Sequence, residues 1–322
     1  MSAFINKILF INHGISHSCG VNAQGRRHFY CLSKSEKFDF IYCEPQSFRE
    51  LKDISDKINP LCIIYNYMPI VLPWVNEEIH SLNTKHVCVV HDITPHLLAN
   101  NQYQYGNLFN NYITLDSSLN VDNKLIFKTD RPLYELDAPQ SSLEKNTIIK
   151  IGTFGFPFVH KGFHKLVEVV NAEFDNAVIN LHMSDSHFCN NETSRILSLC
   201  AKAATKPNIK INYTHHYRSE IDMVKYLNKN HINALLYDNI EGAGVSAAID
   251  YLISAQRPIL ISNSQQFRNF HHRVCVFPRR TLRSIVENYD QEVNNIKNIY
   301  MDRNKILKQT EEIIEIICQT KQ

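Results

Sequence analysis

The strongest constraint on this chain is a rhythm. Short β-branched and aromatic runs recur at spacings that leave room for one helix between neighbours. Lys7–His13 (KILFINH), Phe38–Cys43 (FDFIYC), Leu61–Tyr67 (LCIIYNY) and His86–Asp92 (HVCVVHD) read as buried strands, with weaker candidates at Tyr112–Asp116 and Lys124–Lys128. Gly20–Ser33 reads as a helix, and Ser47 is placed to cap another that ends near Ile58, before Pro60. Near-continuous apolar strands separated by helix-length segments predict a parallel sheet covered on both faces.

A polar stretch with Pro and Ser, Asp137–Asn146, reads as a linker, and the rhythm then restarts. Strands are expected at Thr147–Phe154, Ala177–His182, Ile209–Thr214, Ile232–Tyr237, Pro258–Ile261 and Val274–Phe277. Helices are expected at Gly162–Phe174, Glu192–Ala204, Ser219–Asn230 and Gly244–Ser254, with one long charged helix over Asn294–Cys318. At 322 residues the chain is long enough for two domains, each of roughly 150 residues. The expected division is 1–140 and 141–293, with a final helix, 294–322, packing back towards the first domain. Doubly wound units bind ligands at the carboxyl ends of their strands.

Composition excludes several classes. With 44% hydrophobic and 20% charged residues the chain is an ordinary globular one. A formal net charge of +2, from 34 basic against 32 acidic residues, is no nucleic-acid signature. Nine cysteines without a CxxC pair argue against a disulfide framework and for a reducing, cytoplasmic compartment. Cys62, Cys88 and Cys200 sit in apolar runs and read as small core hydrophobes. No window approaches the ~18 apolar residues of a membrane span, which leaves peripheral contact with an inner membrane face open. The paired histidines at 215–216 and 271–272 lack metal-ligand spacing, so no metal site is expected.

Two segments carry chemistry. In Asp238–Asp250 (DNIEGAGVSAAID) a strand ends in an acidic, glycine-bearing turn that leads into a helix. Gly244, Val245 and Ser246 at that helix start would offer N–H groups to a diphosphate, and Glu241 a carboxylate to sugar hydroxyls. The same pattern also serves an ordinary turn with Asp238 or Ser246 as caps. In Gly152–Gly162 (GTFGFPFVHKG), Lys161 precedes a glycine at a helix start, where it can neutralise a leaving diphosphate or simply be solvated.

Together these segments resemble the donor-binding half of retaining GT-B glycosyltransferases of the group 1, family 4 type. In that family a G-x(n)-KG loop and an E-G-x-G-x-S helix start hold the nucleotide-sugar phosphates. Arg257-Pro258-Ile259-Leu260 fills the slot of the family's following strand, and the resemblance covers about residues 147–265 well. It implies an α/β fold of two doubly wound, Rossmann-like domains facing each other across a cleft. It also implies sugar transfer from a nucleotide-diphosphate donor (a UDP- or GDP-sugar), with retention and no metal or other cofactor. The acceptor would be a saccharide or glycolipid hydroxyl, of surface-polysaccharide or lipopolysaccharide type.

By this resemblance His91, Glu241 and Lys161 are the catalytic candidates. Gly20, Lys161, Gly244, Val245 and Ser246 would hold donor phosphate, and His17, Arg26 and Asp92 would lie on the acceptor side. Two positions depart from the family pattern. Many members carry an arginine shortly before the lysine, where this chain has Gly155-Phe156-Pro157-Phe158. Lys161 therefore acts alone or is joined by Arg26, Arg27 or His160. The family's second, ribose-binding glutamate is replaced by Ile249, leaving Asp250 as a substitute turned by about 100° on the helix. Nucleotide-sugar epimerisation, transfer to modified nucleic-acid bases, and non-catalytic saccharide binding are the alternative readings.

Overall fold

The computed structural model describes residues 6–14, 19–91, 93–103, 105–136, 147–184 and 192–319. The expected linker (Asp137–Asn146), His17 and Asp92 lie outside the described residues. The chain forms two compact units, one from Met1–Pro132 with Gly242–Gly244 and Asp302–Gln322, the other from Leu133–Glu241 with Val245–Met301.

The first unit holds β1 (Asn6–Ile11), β2 (Phe38–Cys43), β3 (Cys62–Tyr67), β4 (Lys85–Val90), β5 (Asn111–Thr114) and β6 (Ile126–Lys128). They form one parallel sheet in the order β2-β1-β3-β4-β5-β6. Alternation along the strands sends side chains to two cores. Leu9, Ile11, Ile63, Tyr65 and Cys88 pack on one face. Ile8, Phe10, Ile64, Val87 and Val89 pack on the other. The helices are α1 (Gly20–Leu32), α2 (Phe48–Ile58) and α3 (Pro95–Ala99). Ser47 accepts the Glu50 N–H, so the expected cap on α2 is made, and Asn59 closes that helix in the left-handed conformation.

The second unit holds β7 (Ile149–Gly155), β8 (Ala177–Met183), β9 (Ile209–Thr214), β10 (Ile232–Leu235), β11 (Ile259–Ser262) and β12 (Cys275–Phe277), in the order β12-β11-β10-β7-β8-β9 and again parallel. Its helices are α4 (Phe163–Glu173), α5 (Glu192–Ala203), α6 (Glu220–Asn228), α7 (Ala248–Ser254), α8 (Leu282–Glu287) and α9 (Tyr289–Met301). Phe163, Leu166, Val167 and Val170 place one face of α4 on Ile151, Ile179 and Leu181. Burial of a side chain such as Leu166 is worth about 2 kcal/mol.

The tail and the start of α7 differ from the sequence expectation, and α8 has no counterpart in it. The tail is two helices, α9 and α10 (Asn304–Gln319), because its apolar stripe changes partner. Ile296, Ile299 and Tyr300 belong to a core of the second unit. Ile313, Ile314 and Ile317 belong to a core of the first. The helix expected from Gly244 begins instead at Ala248. Two glycines disfavour a helical start, and the Ser246 N–H is donated to the Gln266 carbonyl at 2.8 Å, which holds the preceding segment out of the helix.

In each sheet the winding direction reverses beside the first strand, between β1 and β3 in one unit and between β7 and β10 in the other. Crevices at such reversals, at the carboxyl ends of the strands, are where open α/β sheets hold ligands.

Candidate functional site

In the second unit, the chain leaving β7 and the chain leaving β10 meet at such a reversal. Gly162 sits in the left-handed region (φ +66°), and a Cβ there would lie 1.9 Å from the Leu236 carbonyl oxygen. Only glycine lets α4 start this close to the end of β10. The Asp238 N–H donates to the His160 carbonyl at 2.8 Å, tying the two segments together.

This corner presents Lys161. Its Nζ lies 4.0 Å from the centre of the buried Tyr237 ring, a cation–π contact. Among the described residues it makes no ion pair, and burial lowers its pKa to about 8. An ammonium short of compensation in a poorly hydrated site is an anion receptor, since an incoming charge restores what burial removed. The neighbouring Lys165 is already paired with Asp238. Glu241 is exposed in the turn beyond β10.

The sequence candidates are sorted by this geometry. The first-turn role expected of Val245 and Ser246 does not hold as drawn: they precede α7 rather than open it, and the Ser246 N–H is committed to Gln266. Asp250 lies in the first turn of α7 and is 1% exposed. His160 stacks on Phe158 with ring centres 5.3 Å apart. Burial, and then the Lys161 charge, lower its pKa below the usual histidine value, which disfavours a second cation there. Arg257 is buried, with its Nε–H donated to the Asn228 carbonyl at 2.7 Å.

In the first unit the corresponding corner is built from amides. The Asn12 Nδ2 group donates to the Asn22 carbonyl (3.1 Å) and to the Tyr42 hydroxyl (2.9 Å). The Asn66 Nδ2 group donates to Asn12 Oδ1 (2.9 Å) and to the Val21 carbonyl (2.8 Å), and Asn66 Oδ1 lies 2.8 Å from His91 Nε2. Gly25 allows α1 to lie on this pair, because a Cβ there would be 2.4 Å from Asn66 Nδ2 and 2.7 Å from Asn12 Oδ1. His13, at the end of β1, is buried, and its Nε2 lies 3.4 Å from Cys19 Sγ.

His91 follows β4 directly. Burial, then the charges of Arg131 and His13, lower its pKa to about 4. Gly20 is the exposed first residue of α1, whose N-cap, Cys19, makes no side-chain capping bond, and no acidic residue occupies the first turn. Arg26 is exposed and paired with Glu44 at 3.4 Å, while Arg27 is buried. Among the described residues no three His, Cys, Asp or Glu side chains are grouped to hold a metal, and no helix is long and apolar enough to cross a membrane.

Asn12, Asn66 and Tyr237 complete these corners outside any motif in the sequence. The first two were detectable in principle. An asparagine inside a run such as LCIIYNY is a polar group in a buried strand and demands a partner.

No protein-family model matches the sequence, and no curated protein is similar to it in sequence. Solved structures are similar over nearly the whole length. The structure of Alr3699/HepE from Anabaena, in complex with UDP and glucose, superposes with a TM-score of 0.66 at 11% identity, over 98% of this chain and 100% of that one. A glycosyltransferase from Rickettsia africae gives 0.62 at 12% identity over 99% and 100%. The lipopolysaccharide outer core galactosyltransferase WaaB gives 0.64 at 10% identity over 98% and 100%. With its two six-stranded parallel sheets and flanking helices, the chain has the GT-B architecture.

Proposed function

We propose that this chain is a glycosyltransferase that moves a sugar from a nucleotide-diphosphate donor to a hydroxyl of a saccharide or glycolipid acceptor. The observation that carries the reading is Lys161, a partly buried ammonium without an acid partner among the described residues, at the winding reversal of the second unit. The structures of the similar Anabaena protein with UDP and with UDP-glucose support a nucleotide-sugar ligand.

In this reading Lys161 and the Gly244–Ser246 segment receive the diphosphate. Glu241 accepts hydrogen bonds from the sugar, whereas Asp250, 1% exposed, is closed to the ribose. Gly20, at the start of α1, serves phosphate, and His91 serves the acceptor, with Arg26, His17 and Asp92 on the acceptor side. The bond from the anomeric carbon to the diphosphate oxygen breaks, and the acceptor oxygen attacks from the same face with retention. The acceptor proton passes to the departing phosphate. Stabilising the growing negative charge on that phosphate falls to the Lys161 cation, without a metal.

Calorimetric titration with UDP-glucose and a GDP-sugar, followed by analysis of product anomericity, tests the proposal. Saturable binding of one donor and a retained linkage are expected. Failure to bind any nucleotide sugar would sink it, and conversion of the donor without an acceptor would replace it with epimerisation.

A further inference from the structure

The amide network of the first unit fixes more than the position of His91. An amide side chain has one accepting and one donating end, and coordinates alone rarely tell them apart. Here the surroundings do. Both hydrogens of Asn66 Nδ2 are spent, on Asn12 Oδ1 and on the Val21 carbonyl. Turning the amide over would set Asn66 Oδ1 against that carbonyl, which can only accept.

Asn12 is fixed in the same way. Its Nδ2 group faces the Asn22 carbonyl, so its Oδ1 is the atom that accepts from Asn66. Two backbone carbonyls of α1 thus determine the orientation of both amides. Asn66 Oδ1 is therefore an acceptor, and the atom 2.8 Å from it, His91 Nε2, must carry a hydrogen.

We infer that Asn66 is a positioning residue that holds His91 in the Nε2–H tautomer, so that Nδ1 is a lone pair available to accept a hydrogen bond from a substrate hydroxyl. Among the described residues Nδ1 has no hydrogen-bond partner. Burial is the largest influence keeping the ring neutral. Arg131, beyond β6, and His13, at the end of β1, disfavour its protonation. His28, on α1, is itself held neutral by burial, then by His91 and Arg27, with a pKa of about 3. A neutral ring with a bare Nδ1 lone pair accepts from a hydroxyl and repels the oxygens of a carboxylate or phosphate. The ligand group it recognises is thus an uncharged hydroxyl. That last step rests on the glycosyltransferase reading; the tautomer does not.

The test is long-range proton–nitrogen NMR of histidine-labelled protein at pH 7, with His91→Asn to assign the signal. A protonated Nε2 with a bare Nδ1 is expected. An imidazolium, an Nδ1–H ring or an even mixture would overturn the inference. In Asn66→Leu the signal should shift to the other tautomer or a mixture. Turnover should fall about tenfold or more with the KM for UDP-glucose unchanged. In Asn66→Asp the carboxylate should raise the His91 pKa and move the acid limb of the kcat profile upward by about a unit or more. Variants that retain the wild-type tautomer and pH profile would remove Asn66 from the role. If either variant fails to fold, the wild-type spectrum still decides the tautomer. The expected tautomer in a protein that binds no nucleotide sugar would refute the functional reading and leave this one standing.

Discussion

The two winding reversals are built alike and filled differently. In the first unit, Gly25 brings α1 onto the side-chain amides of Asn12 and Asn66. The outcome is a neutral surface in which each donor and acceptor is directed: Asn22, Asn12, Tyr42, Asn66 and His91 form one chain of hydrogen bonds. In the second unit, Gly162 brings α4 onto a backbone carbonyl. What surrounds that corner is charged: Lys161 over Tyr237, Lys165 paired with Asp238, and Glu241 in the turn. A neutral directional surface discriminates among hydroxyls, because a missing partner leaves a buried polar group unpaired. A charged one grips phosphate with less demand on geometry. One architecture thus offers two recognition chemistries, according to what the glycine lets the helix touch.

The largest effects are expected on substituting the two glycines. Gly162→Ala places a left-handed alanine, worth about 1–2 kcal/mol, against a backbone oxygen that cannot move alone. A total loss of about 3 kcal/mol or more in urea unfolding is expected. Gly25→Ala meets only side-chain amides and gains helix propensity. It should cost about 1–2 kcal/mol, mostly from an unpaired buried amide. Equal costs would mean that the two corners are not constrained differently.

The charged corner is tested next by Lys161→Met. Removing a cation from a phosphate site is expected to weaken UDP-glucose binding about 30-fold or more, the scale for losing one partner of a desolvated charge pair. Thermal stability should hold or rise, since the variant relieves a charge that burial penalises. A change in donor affinity of less than about threefold would remove Lys161 from the donor site.

Much of this architecture was legible in the sequence, and the exceptions share a cause. β2 and β9 fall where the apolar runs place them, and Ser47 caps α2 as its position implies. These are decided by local pattern. The start of α7 and the break between α9 and α10 are decided by distant partners, the Gln266 carbonyl in one case and a change of core in the other. The site divides in the same way. Lys161 and Glu241 stand in a readable motif, whereas Asn66 acquires meaning only when α1 supplies the carbonyls that orient it.

A smaller effect sharpens the same contrast through pH. Burial has lowered the Lys161 pKa from 10.5 to about 8. Below that value the lysine is charged in the free protein and ready for phosphate. Above it, binding must take up a proton, and the free protein no longer bears the cost of a buried charge. UDP-glucose affinity should therefore fall about tenfold between pH 7 and pH 9 by calorimetry, with proton uptake at the higher pH. Lys161→Met should lack that fall. His91, neutral above about 4, contributes nothing over this range. A flat profile in the unsubstituted protein would mean that the ammonium is more solvated than its place over Tyr237 implies.

The smallest expected effect belongs to the Arg26–Glu44 charge pair beside the neutral corner. Arg26 lies on the exposed side of α1 and meets Glu44 at 3.4 Å, with 49% of the arginine side chain exposed. Exposed pairs contribute little, because solvent screens them and two long side chains lose freedom. Arg26→Ala should therefore change unfolding stability by no more than about 0.5 kcal/mol in moderate salt. The same Glu44 accepts from the Tyr42 hydroxyl at 2.5 Å, and Tyr42 receives the Asn12 amide, so the pair lies at the end of the hydrogen-bond chain rather than within it. A loss above 1 kcal/mol would show that the chain depends on this charge, and the corner would then not be a neutral one. A fall in turnover at unchanged stability would instead put Arg26 in contact with the acceptor, and would give the first unit a charged contact of its own.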